Sequence, residues 1–299
     1  MKLNGIINLN KPPGKTSFQM VSLVRRLTGE RRVGHAGTLD PEATGVLPIC
    51  LGQGTRVVEF LNLAQKVYQA EIELGTATTT YDATGEVTQR GDISSLKLGQ
   101  IEEALSRFKG EIEQVPPPYS AVKHHGQPLY KLARAGAQVP QKPRKVQISR
   151  LEVLRWEGAH LEVEVECGKG TYIRSLAHDL GQVLGCGAHL RKLIRLQSGP
   201  FRIEEAVSPE ELEEAFRQGY WQTYLHPLDV ALSHLDAVIV GESDRKAILN
   251  GRFIALADVG GELCRAYSSD GKLLAVLRFR PDRGLWHPEK VFAEGRIAS

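Results

Sequence analysis

The 299-residue chain lacks several features that would settle its chemistry at a glance. It has only four cysteines, Cys50, Cys167, Cys186 and Cys264, and no Cys-x-x-Cys pair among them. That scatter excludes a zinc ribbon or a redox dithiol and suits unpaired thiols in a reducing compartment. No apolar run is long enough for a transmembrane helix. The opening MKLNGIINLNKPPGK has no apolar leader segment, so no signal peptide and a cytoplasmic location are expected. A phosphate-cradling P-loop, a metal-ligand cluster, internal repeats and low-complexity tracts are also missing, so no metal or cofactor is expected. The remainder is 41% hydrophobic and 24% charged, an ordinary globular balance. Its length suggests about two domains.

Charge is unevenly spread. The net value is +3, yet residues 119–150 carry seven basic side chains and no acidic one. Residues 1–60 and 169–202 are also basic, whereas 203–244 carry ten acidic side chains and one basic. If the basic stretches converge in space they suit a polyanion. Tyr119, His124, His125 and Tyr130 interleave with Lys123, Lys131 and Arg134. Stacking surfaces beside phosphate partners favour RNA over a small charged ligand.

The apolar spacing predicts mixed strands and helices. Residues 3–9 read as a strand, followed by a helix capped by Thr16 or Ser17, with Phe18, Val21, Val24 and Leu27 inward and Gly29 as its stop. Residues 33–47 read as a loop. Residues 67–74 read as a strand with Tyr68, Ala70, Ile72 and Leu74 on one face. A helix through Ile101, Ala104, Leu105 and Phe108 is expected to end at Gly110. Alternating Leu161, Val163, Val165 and Cys167 mark another strand. Ile173, Leu176, Ala177, Leu180 and Leu184 mark a helix, and Ser208-Pro209-Glu210-Glu211 starts another. Beyond Asp229 the texture becomes β-rich, with a hairpin at Asp270-Gly271. The fold class is α+β, with a largely antiparallel mixed sheet flanked by helices.

The segment GHAGTLDPEATGVL (residues 34–47) is the informative one. Its glycines permit close approach or unusual dihedrals, and Pro41 biases Asp40 toward an extended path. Taken alone, Asp40 fits either an Asx turn or a reactive carboxylate.

This segment resembles the catalytic loop of the TruB family of tRNA pseudouridine synthases, and four further motifs follow in that family's order. They are KPPGKTS (11–17), KVY (66–68) with Leu74-Gly75, Thr78, Thr80, Asp82 and Gly85, QVPPPYSAVK (114–123), and CGKGTYIR (167–174) with the run to Leu190. The tail resembles, more weakly, the family's PUA-type RNA-binding module. The resemblance implies a pseudouridine synthase catalytic domain over 1–235, with 119–150 as a basic RNA-contacting insertion, and a PUA-like module over 240–299. It implies isomerisation of uridine-55 in the tRNA T loop by base flipping, acting as a monomer with no obligate protein partner. By the same resemblance Asp40, Tyr68 and Arg174 are the catalytic residues. Tyr172 and Leu193 contact the base, His35 fills the gap left by the extruded nucleotide, and Lys11, Lys15, Lys123 and Arg134 meet phosphates. Two rivals share these residues: a non-catalytic tRNA-binding or folding protein, and a small-molecule hydrolase using Asp40 and His35.

Overall fold

The computed structural model describes residues 3–119, 142–257 and 259–292, with the backbone of two short strands at 123–124 and 127–128. Strand β1 (Gly5–Lys11) leads into helix α1 (Ser17–Thr28). Thr16 caps it: the Thr16 hydroxyl accepts from Gln19 N while the Gln19 side chain accepts from Thr16 N. Gly29, at φ 67°, closes it in the left-handed conformation. The buried face is Ser17, Met20, Val21 and Val24. Phe18, expected on that face, is 63% exposed, because Ser17 turns inward to bond the next loop.

Residues 33–47, expected as a loop, contain strand β2 (Val33–His35) and the start of β3 (Thr44–Leu51). Val46 to Leu51 are all buried. A strand covered on both faces loses the alternation by which strands are recognised. After α2 (Val58–Leu63) comes β4 (Lys66–Leu74), with Ala70, Ile72 and Leu74 buried as the spacing predicts. Strands β5 (Thr76–Thr78) and β6 (Val87–Arg90) form a small ribbon. Helix α3 (Leu98–Ser106) ends before Gly110, which opens β7 (Gly110–Gln114) at φ 92° instead. The pair β8 (Lys123–His124) and β9 (Gln127–Pro128) precedes β10 (Arg144–Glu157) and β11 (His160–Cys167). Then follow α4 (Ile173–Val183), β12 (Ala188–Ser198), β13 (Phe201–Arg202), α5 (Pro209–Gln218) and β14 (Leu225–His226). Ser208 and Glu211 form a capping box at α5, with proline at its first position.

The main sheet runs β14-β1-β3-β12-β4-β11-β10-β7, with β2 on β3 and β13 on β12. Its pairings are antiparallel except β3 with β12. Helices α3 and α4 cover β4, β11 and β12 through Ile101, Leu105, Leu176 and Leu180. Helices α1 and α5 cover β1 and β3 through Met20, Val24 and Leu212.

The last part of the chain forms a second sheet, β15 (Asp236–Val240), β16 (Leu263–Ser268), β17 (Leu273–Arg280) and β18 (Leu285–Val291), carrying helix α6 (Glu242–Leu249). The Asp270-Gly271 hairpin joins β16 to β17 as expected. This sheet has its own core around Ile248, Leu277 and Trp286. It is also joined to the body: Val276 and Phe292 share an apolar cluster with Ile6, Val46 and Leu61. Gln53 Nε2 donates to Phe292 O at 3.0 Å, and Lys290 pairs with Glu59 at 2.6 Å.

Candidate active site

Strand β12 lies between β3 and β4, so one late strand joins two early segments. At this join a cleft of about 300 Å³ opens, and its walls include Asp40, Tyr68, Tyr172, Arg174 and Leu193. Asp40 stands on the connection between β2 and β3. The turn there is closed by backbone, Ala43 N donating to Asp40 O at 3.1 Å. The carboxylate itself turns to Arg174, whose Nε lies 2.9 Å from Asp40 Oδ2.

Arg174 sits in the first turn of α4, with its side chain only 7% exposed. A cation gains nothing from that end of a helix, so its position is set by its partners. Nη1 lies 3.4 Å from Asp82 Oδ2, and Nη2 donates to Tyr119 O at 3.1 Å. Asp82 is in turn held by Thr80 Oγ1 at 2.7 Å, Thr84 N at 3.0 Å and Thr84 Oγ1 at 2.6 Å. Two carboxylates therefore grip one buried guanidinium. The Asp40 side chain is 47% exposed on the cleft side but packed with protein on the others. Burial pushes its pKa up, Arg174 pulls it down, Asp82 raises it again and Lys11 opposes that.

The loop carrying Asp40 is anchored twice. Ser17 Oγ accepts from Leu39 N at 2.9 Å and donates to Leu39 O at 3.1 Å. Lys11 Nζ donates to Pro41 O at 2.8 Å, Pro12 O at 2.8 Å and Lys15 O at 2.6 Å. Lys11 was expected to meet phosphate. The structure corrects this: the side chain is fully buried and the ammonium is saturated by carbonyls, with burial lowering its pKa to about 8. Lysine at a Pro-Pro-Gly turn looks like a surface charge until β3 and the Asp40 loop close over it.

Tyr68 points into the cleft from β4, and burial raises the pKa of its phenol. Tyr172 is fixed by a reciprocal pair: its N donates to Gln114 Oε1 at 2.7 Å, and Gln114 Nε2 donates to its carbonyl at 3.0 Å. Leu193, opposite Ala70 across β12 and β4, completes an apolar wall. His35 lies on β2, away from the cleft walls, with its pKa lowered by burial and by Arg195. Lys15 is exposed. The Lys123 side chain and Arg134 lie outside the described residues.

Three residues of the site were not anticipated. Asp82 and Lys66 were visible only as parts of motifs. Lys66 is 5% exposed, its Nζ donating to Leu61 O, Asn62 O and Ala64 O. Arg195 is fully buried and lines the cleft; it lies two residues after Leu193, on the same inward face. A larger opening of about 1100 Å³ lies between the body and the second sheet, and none of the cleft residues lines it. Among the described residues no helix is long and apolar enough to cross a membrane.

An RNP of the H/ACA type bound to a substrate RNA containing 2'-deoxyuridine superposes with a TM-score of 0.75 and 28% identity, over 97% of this chain and 85% of that one. A Cbf5-Nop10-Gar1 complex gives 0.73 and 31%, over 92% and 78%. Sheet, flanking helices and cleft thus define a pseudouridine synthase fold. Residues 25–173 match the N-terminal domain of TruB family pseudouridylate synthases, and residues 174–233 match the C-terminal domain of tRNA pseudouridylate synthase B. The chain belongs to the TruB family, a family of isomerases. It is 45% identical to the tRNA pseudouridine synthase B of Dehalococcoides mccartyi over 97% of both chains. It is 42% identical to that of Streptococcus pneumoniae over 97% of this chain and all of that one.

Proposed function

We propose that this chain converts uridine-55 in the T loop of tRNA to pseudouridine, with Asp40 as the catalytic carboxylate. The observation that carries the reading is the Asp40–Arg174 ion pair, 2.9 Å long, at the mouth of a cleft walled by Tyr68, Tyr172 and Leu193. The names of the curated relatives support a tRNA substrate, and the substrate RNA bound to a structural neighbour supports an RNA-facing cleft.

The target base lies within a folded, stacked loop and must be extruded, at a cost of a few kcal/mol that pocket and phosphate contacts offset. In the cleft Tyr68 and Leu193 pack against the base. Burial is the largest influence on the Asp40 carboxyl and raises its pKa, and Arg174 opposes that rise. The N1–C1′ bond of the nucleotide breaks, the detached base turns, and a C5–C1′ bond forms. N1 gains a proton and C5 loses one, so atoms and electrons balance without a co-reactant. Asp40 supplies the anion at the sugar or base. Residues 240–299 serve as the RNA-gripping module, consistent with ten basic side chains between positions 245 and 299.

The test incubates the protein with unmodified tRNA under single-turnover conditions and measures pseudouridine at position 55. Product from the wild type is expected. Asp40→Asn should slow formation by about 10³-fold or more while leaving tRNA affinity within several-fold. Tight tRNA binding without product from the wild type would establish the non-catalytic binding protein instead.

A further inference from the structure

Arg195 is unlike the other charged groups of the cleft. It is fully buried, and among the described residues it has no salt-bridge partner. Its Nε donates to Val46 O at 2.6 Å and its Nη2 to Gly37 O at 3.0 Å. Nη1 is sealed from solvent and completes no hydrogen bond among the described residues. Tyr68 lines the same cleft, and the positive charge of Arg195 lowers the pKa of its phenol against the upward push of burial. The register explains the meeting: Arg195 is paired with Tyr68 across β12 and β4, and with Gly45 across β12 and β3. Paired residues on adjacent strands present their side chains to one face.

The glycines of the Asp40 loop fit around this side chain. A Cβ on Gly37 would stand 3.1 Å from Arg195 Nη1, and one on Gly45 would stand 2.3 Å from Arg195 O. Both glycines have positive φ, 81° and 100°. The close approach that they permit is therefore to Arg195.

We propose that Arg195 is a positioning residue of the cleft, holding the Asp40 loop from below and fixing the direction of the Tyr68 hydroxyl proton. This rests on the pseudouridine-forming reading above. A guanidinium only donates. Toward such a cation the Tyr68 oxygen presents its lone pairs, and the phenolic hydrogen is directed away, toward the base in the cleft. Tyr68 then reaches the base as an oriented donor, and a proton transfer at that oxygen leaves a phenolate beside a fixed positive charge. The other charged or titratable groups bearing on Tyr68 are Cys167, at the end of β11, and Asp40. Those bearing on the same basic floor are Lys11, Lys66 and His35.

The experiment compares Arg195→Lys with Arg195→Gln in the full-length protein. Single-turnover rate, tRNA affinity and thermal midpoint are measured for each, with ¹³C-tyrosine NMR following the Tyr68 signal, assigned by its loss in Tyr68→Phe. Arg195→Lys, which keeps a cation beside the hydroxyl, should lose no more than about fivefold in rate, and Arg195→Gln about 50-fold, with affinity within about threefold in both. The Tyr68 signal should titrate at higher pH in Arg195→Gln than in the wild type. Equal rate losses in both variants with an unmoved Tyr68 titration would reduce Arg195 to a structural wedge. If Arg195→Gln does not fold, a folded Arg195→Lys decides alone: a retained rate supports the assignment and a 50-fold loss overturns it. A wild type that makes no pseudouridine overturns the proposed reaction, whereas the Tyr68 titration reads the Arg195 contact without turnover.

Discussion

The cleft and the C-terminal sheet use charge in opposite ways. Beneath the cleft, Lys11, Lys66 and Arg195 are buried and donate to backbone carbonyls. In the second sheet, Arg278 pairs with Glu289, and Lys272 pairs with Asp270, near solvent. Buried cations cost desolvation and gain fixed geometry in return. Surface pairs cost little and contribute little. The contrast teaches that the cleft gives up stability to hold its loop, while the second sheet relies on its apolar core.

Gly45→Ala tests this most severely. At φ 100°, with a Cβ 2.3 Å from Arg195 O, the substitution should cost about 3 kcal/mol or more in urea unfolding. Gly284→Ala in the second sheet also has positive φ, 62°, but meets nothing within 4 Å, and should cost about 1 kcal/mol. Equal costs at the two sites would erase the distinction.

Asp179, on the same helix as Arg174, sharpens it. Burial raises its pKa to about 6, and among the described residues it has no salt bridge. The folded state therefore favours the protonated acid. Stability from this group is complete below about pH 4 and is lost as pH rises through about 6. Asp179→Asn should stabilise the protein by about 2 kcal/mol at pH 7.5 and by nothing at pH 3.5, as thermal unfolding at the two pH values would report. A gain of the same size at both would mean that the carboxyl is not the source.

The smallest effect is expected at Arg278→Ala. Its pair with Glu289 is about one-third exposed on each side, so the loss in urea unfolding should be about 0.5–1 kcal/mol. A loss of several kcal/mol would show that the second sheet also depends on its charges.

Much of the cleft was legible in the sequence because its residues sit in short local motifs. The Asp40 loop carries its glycines and Pro41, the Tyr68 strand its alternation and the helix bearing Arg174 its apolar spacing, although no side chain caps that helix start. Lys11 and Arg195 were not legible in the same way. Whether a lysine beside Pro-Pro-Gly is solvated or sealed depends on a strand that crosses it from another part of the chain. Whether an arginine in KLIRLQS is surface or floor depends on β12 being placed between β3 and β4. The β3 strand was misread for a related reason: burial on both faces removes the alternation that marks a strand. Phe18 stood one position off the inward face because Ser17 is needed there by Leu39.

The parallel join of β3 with β12 pairs Thr44 with Ile194, an intervening span of half the molecule. Such a distant contact forms only after a large loop has closed, which makes it slow. During synthesis the early strands must wait, with one edge unpaired, until most of the polypeptide has left the ribosome. The cleft is thus completed late in assembly, and a nascent product that ends before β12 holds Asp40 without the wall that Leu193 and Arg195 supply.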